Sequence, residues 1–303
     1  MRSRQRTGFT LIETAAAVGS IAVLVALAQP AGQRQASRQA RDADQLRGIH
    51  QGMVLWAQNN ADVYPLPSRL DTADNTVLEL GAAKNTTANI VSIMLYNGLL
   101  PLPSTVSPVE RNDNIDFDFD YHYTAPPDAV NPALALWDPS FSADFTAAEG
   151  GNFSYAHLQP SLTAPGSGRI YRWTNTFQST EVILSNRAPQ IASVQHNGDT
   201  SATVTFADRR SNTLKFYGNA HTWSGHLVYN DNHVVFSDRR LAPGGDITQE
   251  SEFPARYYFT STGQRHLDLW CYDEPDDPAA TNDFVGIFTT AGVQAPSFTP
   301  IWD

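Results

Sequence analysis

Only one of the 303 residues, Cys271, is a cysteine, so no disulfide can close within the chain. With Trp270 and Tyr272 on either side, that thiol reads as a buried structural one. Basic residues are also scarce. There are 20 Lys+Arg against 31 Asp+Glu, a formal charge of −11, and an acidic surface does not favour nucleic acid. No His-Glu-x-x-His pair, paired-cysteine motif or glycine-rich phosphate loop occurs, and Gly166-Ser167-Gly168 lacks the spacing of a nucleophile elbow. These absences predict no catalytic residue, no cofactor-binding residue and no metal ligand. No internal repeat is present, and the expectation is a protein that is not an enzyme.

What the sequence does hold is concentrated at its start. Residues 7–13 read Thr-Gly-Phe-Thr-Leu-Ile-Glu, behind Arg2, Arg4 and Arg6 and ahead of an almost unbroken apolar run to Ala28. From Phe9 to Ala28 the run reaches the roughly 20 residues that a helix needs to cross a bilayer. Glu13 lies inside it, where a carboxylate costs about 2.5–3.5 kcal/mol on insertion scales. A charge kept at that cost points to a partner. A secretory signal peptide would explain the basic start and Ala26-Leu27-Ala28 as a cleavage site, but its apolar centre is about 7–15 residues and has no use for a charge. A plain anchor explains the length and leaves the order Gly-Phe-Thr-Leu-Ile-Glu unexplained.

That order, with its basic flank, resembles the prepilin signature shared by type IV pilins and the pseudopilins of type II secretion. The resemblance implies that a prepilin peptidase cuts after Gly8 on the cytoplasmic side and that the new terminus, Phe9, is N-methylated. It also implies that Glu13 serves assembly with other pilin-like subunits. The three leader arginines would hold the leader in the cytoplasm. Cleavage would leave 295 residues and 17 Lys+Arg against 31 Asp+Glu, a balance of −14.

Residues 1–8 therefore read as a leader and 9–59 as one N-terminal helix with its transmembrane part at 9–28. Residues 60–303 read as a β-rich periplasmic or extracellular head. Pro30 marks the end of the apolar stretch and should kink or locally melt the helix there, because it lacks an N–H. Beyond it, Leu46, Ile49, Met53 and Trp56 recur at spacings of 3, 4 and 3, a helical stripe that should pack on the head, while the arginines of 34–41 face solvent or lipid headgroups. A short helix is predicted over Thr87–Asn97, stopped by Gly98. Asp116–Tyr123 alternates strictly, with Phe117, Phe119, Tyr121 and Tyr123 on one side and Asp116, Asp118, Asp120 and His122 on the other, which predicts a half-buried strand with a solvated acidic face.

Residues 124–168 read as a loop-rich insertion. Strands are predicted at 169–173, 181–184, 202–207, 214–217, 226–237, 255–260, 266–272 and 284–289. The fold class is thus α+β, a long N-terminal membrane-spanning helix followed by a head with antiparallel sheet, as in pilins.

The most defined tertiary cue is Gly225 to Phe236, where Asp231-Asn232 supplies a positive-φ pair for a two-residue hairpin turn. That turn sets Tyr229 against Val234 and Leu227 against Phe236 and sends all four to the core. His221, nine residues, then Asp231-Asn232 is similar to the H-x9-D-G motif of a pseudopilin-like family abundant in planctomycete bacteria, with Asn in place of Gly. Ile183 to Pro189, with Arg187, resembles the strand and Arg-containing turn that those proteins carry upstream. In this register His226 and His233 share a face about 13 Å apart, too far for joint metal ligation. Calcium is the one cofactor left open, at the acidic loop Asp273-Glu274-Pro275-Asp276-Asp277-Pro278 with Asp283, which a solvated turn explains as well.

The reading is a structural pilin-like or pseudopilin subunit of the bacterial inner membrane, single-pass, with its head in the periplasm. Its partners are the prepilin peptidase, other pilin-like subunits and the membrane. The alternative is an anchored periplasmic module that binds a glycan or exported substrate through Trp137, Trp173 and Trp223.

Overall fold

A computed structural model describes residues 31–160, 173–197, 201–218, 223–237, 246–248, 257–259, 265–267 and 284–303. Gly8, Phe9, Glu13, Pro30, His221, Cys271 and the acidic loop at 273–278 lie outside them. The fold is α+β, built on a six-stranded antiparallel sheet. The chain divides after Arg41 into an N-terminal unit and a compact unit comprising Asp42–Asp303. Among the described residues no helix is long and apolar enough to cross a membrane, and the span expected at 9–28 is not among them.

Helix α1 covers Ala31–Gln58. Its residues 32–38 are exposed, and from Asp42 onward one face is buried. Leu46, Ile49, Met53 and Ala57 form that face, so the predicted stripe holds except at its end. There Ala57 takes the buried position, and half-buried Trp56 packs to one side against Val77, Ile93 and Trp137. Each large side chain of the stripe contributes about 1.5–3 kcal/mol by burial. Gly52 permits the close approach of the backbone at Leu99, since a methyl group there would meet the Leu99 carbonyl oxygen at 2.5 Å.

A short α2 (Pro67–Leu70) precedes α3 (Thr87–Tyr96), which forms where predicted. Thr86 caps α3 by accepting the Asn89 N–H, and Gly98 ends it in the left-handed region at φ 68°, which glycine adopts at least cost. Between α2 and α3, Lys84 is wholly buried. Its ammonium donates to the Asp71 carbonyl, to Asp71 Oδ2 (2.8 Å) and to Asp74 Oδ1 (2.6 Å), one acceptor for each of its three N–H bonds.

Eleven strands lie among the described residues. Six of them, β1 (Tyr155–Leu158), β2 (Val182–Asn186), β5 (Gly225–Tyr229), β6 (Val234–Ser237), β10 (Val285–Thr290) and β11 (Thr299–Ile301), form the main sheet in the order β11-β10-β1-β2-β5-β6. A three-stranded sheet joins β3 (Ile191–Asn197), β4 (Ser201–Phe206) and β7 (Asp246–Thr248), and β8 (Tyr257–Phe259) pairs with β9 (Arg265–Leu267).

Several expectations are corrected. Residues 116–123 are not a strand but an irregular loop, in which Asp118 is buried and Phe119 is 80 % exposed, the reverse of the expected alternation. Pins from outside the segment outweigh the alternating pattern: Asp138 accepts the His122 N–H, and the Tyr121 hydroxyl donates to the Ser92 carbonyl on α3. Residues 214–217 are not a strand, because a 3-10 turn runs over Asn212–Lys215 with Ser211 capping it. The stretch 124–168 is more than an insertion. It supplies β1, which lies between β10 and β2, together with core residues Trp137, Phe141 and Phe145. All four residues of β1 are buried, so no alternation marks it, and His157 breaks its apolar run.

The hairpin is real, but its register is shifted by one residue. His226 faces Phe236, Leu227 faces Val235 and Val228 faces Val234. The Asn232 N–H donates to the Tyr229 carbonyl, the Tyr229 N–H donates to the His233 carbonyl, and Asn232 is left-handed at φ 69°. The loop is therefore three residues long, a type I turn closed by a left-handed residue, rather than a two-residue turn. Leu227 and Tyr229 consequently lie on the face opposite Val234 and Phe236. His226 and His233 also face opposite ways, so joint ligation is excluded for a different reason than expected.

Candidate functional site

The most concentrated chemistry among the described residues surrounds Asp42, at the first buried turn of α1. Asp42 is fully buried. Ser107 Oγ and the Tyr155 hydroxyl (3.0 Å) donate to its Oδ1. Asn186 Nδ2 (3.0 Å), the Tyr217 hydroxyl (3.0 Å) and His226 Nδ1 (2.8 Å) meet its Oδ2. Five donors exceed the roughly four lone-pair sites of a carboxylate, so the group is saturated. The donors come from a loop, three different strands and the segment after the 3-10 turn. Burial, then the charge of Asp42, raises both phenol pKa values above the usual tyrosine range.

Ser, His and Asp in one cluster suggest a nucleophilic triad, and the geometry is not that of one. A serine nucleophile must bond the histidine ring nitrogen that faces away from the carboxylate. Here Ser107 and His226 both bond the carboxyl group itself, and all three side chains are nearly inaccessible. The cluster is a tie between α1 and the sheet. Sequence reasoning misses it, although a signal exists: Asp42 lies four residues before Leu46, on the apolar stripe, where a carboxyl group must find partners.

The predicted turn motif is seen in part. Asp231 bonds His233 through Nδ1, and the ring of His233 stacks on Tyr229 at 4.2 Å between centroids. Asp231 titrates below the usual aspartate range: burial opposes the shift, and its bonds to His233 outweigh burial. Asn232 lies 3.0 Å from His50 Nδ1, and His50 Nε2 lies 3.0 Å from the Tyr64 hydroxyl, which donates to Asn230. The motif residues thus join the hairpin tip to α1. Replacing Asn232 with Gly relieves the left-handed backbone and forfeits the contact with His50, so stability should change by less than about 1 kcal/mol. Asn232→Val should cost more, about 2 kcal/mol or above, because a β-branched side chain opposes positive φ. Urea midpoints test both, and a Gly variant weaker than Val would refute the backbone account.

Arg187, in the predicted Arg-containing turn, is buried. Its Nη2 donates to Glu110 Oε1 at 2.7 Å and its guanidinium lies 4.4 Å from the Phe145 ring centroid. The Trp223 indole donates to its carbonyl. Trp137, Trp173 and Trp223 are all buried with their indole N–H groups bonded inside the protein, so none presents a face for stacking on a sugar. Asp116, Asp118, Asp120 and His122 do not converge as ligands, and no group of three metal-ligating side chains occurs among the described residues. Asp118 is instead pushed up to about 6 by burial and by its hydrogen bond with Asp120.

No family description matches the chain. No curated protein and no solved structure resembles it closely enough to count as a match.

Proposed function

We propose that the chain is a structural pilin-like or pseudopilin subunit. In this reading it is processed by a prepilin peptidase between Gly8 and Phe9. It then assembles through its N-terminal helix into a type II secretion pseudopilus or a type IV pilus-like filament, with its head in the periplasm. The observation that carries this reading is the order Gly8-Phe9-Thr10-Leu11-Ile12-Glu13 between a basic flank and an apolar run of bilayer length. The exposed start of α1 and the antiparallel sheet of the head are compatible with that role.

Processing is the direct test. Intact-mass measurement of the membrane-extracted protein should find N-methyl-Phe9 as the first residue, and a chain beginning at Gln29 would mean an ordinary secretory signal and end the filament reading. Glu13 is the assembly residue in this proposal. Its carboxylate would meet the free amine of Phe9 on a neighbouring subunit, removing two charges that lipid penalises; desolvation offsets the attraction, so the pair sets registry more than stability. Glu13→Gln should leave processing and insertion intact and reduce crosslinking to partner subunits. Unchanged crosslinks in a correctly processed variant would remove Glu13 from that role.

A further inference from the structure

The charge of this chain is divided unevenly along it. Residues 31–41, the start of α1, hold Arg34, Arg38 and Arg41 and no acidic residue, whereas residues 42–303 hold 14 Lys+Arg against 30 Asp+Glu, a balance of −16. The three arginines recur at spacings of 4 and 3, which sets them on one helical stripe, and all three are exposed. On the head, the irregular loop 113–120 exposes Asp113, Asp116 and Asp120 together with Phe119. An aromatic face among carboxylates suits arginine, which both pairs with acids and stacks on rings.

We infer that the Arg34, Arg38 and Arg41 stripe of one subunit docks on the acidic, aromatic loop 113–120 of a second copy of this chain. The inference rests on the proposed subunit role and supplies a contact outside the membrane. Lipid headgroups are the weaker partner on distance. At about 1.5 Å per residue along a helix, Arg38 and Arg41 lie some 10 and 15 Å further along α1 than its first residue, Ala31, while the headgroup layer is only about 5–8 Å deep. Arm-to-arm packing would set like charges together, which leaves the acidic head as the complement.

A charge swap in the full-length chain tests the contact. Two variants are made, one carrying Arg34→Asp, Arg38→Asp and Arg41→Asp, the other Asp113→Arg, Asp116→Arg and Asp120→Arg. Self-association of detergent-solubilised protein is followed by co-precipitation of differently tagged copies. Each variant alone should associate about tenfold more weakly than the parent, and the mixture of the two should regain pairing, with all pairing falling as salt is raised. Melting temperatures and the Phe9 terminus serve as controls for folding and processing. Undiminished association of the arginine-reversed chain would overturn the inference, as would a loss that mixing fails to restore. Failure to restore pairing, accompanied by lost binding to phosphatidylglycerol vesicles but not to phosphatidylcholine vesicles, would identify the lipid surface as the partner instead. If the chain begins at Gln29, the subunit reading itself has failed, a result separate from failure of the swap.

Discussion

Asp42→Ala should destabilise the protein by about 3–5 kcal/mol, the cost of stripping one partner from a buried polar cluster whose remaining members keep their desolvation penalty. Ser107, Tyr155, Asn186, Tyr217 and His226 would each lose an acceptor in a space that offers few substitutes. Asp42→Asn keeps the volume and one oxygen, but its amide nitrogen would confront donors, so it should recover only part of the loss. Tyr217→Phe removes one donor from an over-subscribed carboxyl group and should cost only about 1 kcal/mol. Denaturant titration of the full-length chain in detergent measures all three. If Asp42→Ala changed stability no more than Tyr217→Phe, the cluster would not be a tie between helix and sheet.

The same tie shows which parts of the fold are legible in the sequence. Helix signals are local: Leu46, Ile49 and Met53 repeat at helical spacing, and α3 carries both a capping threonine and a stopping glycine, so α3 and the C-terminal end of α1 each fall within a residue of expectation, while the expected start of the first helix at Phe9 lies outside the described residues. Strands are legible where β-branched runs are bounded by turn residues, as in β2, β4 and the β5–β6 hairpin. Strand β1 escapes notice because burial on both faces erases alternation, and β11 because three residues carry no period at all.

Register is the harder quantity. A two-residue and a three-residue turn differ by one residue, and that single step exchanges the faces of a whole strand. Asn232 takes the left-handed position in the three-residue turn actually formed, so the sequence identifies the residue correctly and misplaces it within the turn. The alternation at 116–123 fails for the opposite reason. Its periodicity is strong, but Asp138 and Ser92 hold His122 and Tyr121 from outside the segment, and such partners leave no trace in local pattern. The buried polar ties are non-local in the same way: Asp42 and His226 are 184 residues apart, and Thr87 and His157 are 70 apart.

That last pair governs the expected response to acid. His157 is buried between Thr87 and the Leu158 carbonyl: Nδ1–H donates to Leu158 at 2.8 Å, so Nε2 accepts from the Thr87 hydroxyl at 2.7 Å. The hydroxyl in turn accepts the Phe288 N–H, which leaves the neutral ring fully satisfied. Burial accordingly lowers its pKa from 6.5 to about 4, and burial also lowers that of His50. Above pH 6.5 both folded and unfolded chains carry neutral His157, so it adds no pH dependence. As pH falls from 6.5 to 4 only the unfolded chain takes up the proton, and stability declines by about 3 kcal/mol at roughly 1.4 kcal/mol per pH unit. Asp118 works against this. Its carboxyl group is raised to about 6, so its contribution is fully present below the unfolded value of 3.8 and is lost as pH rises toward 6. Over this window it offsets much of the histidine effect. The parent protein should therefore show a shallow stability profile between pH 4 and 6.5, and Asp118→Asn should unmask the decline. Urea midpoints at half-unit pH steps decide the matter: a variant as flat as the parent would mean that His157 is not held neutral by its burial.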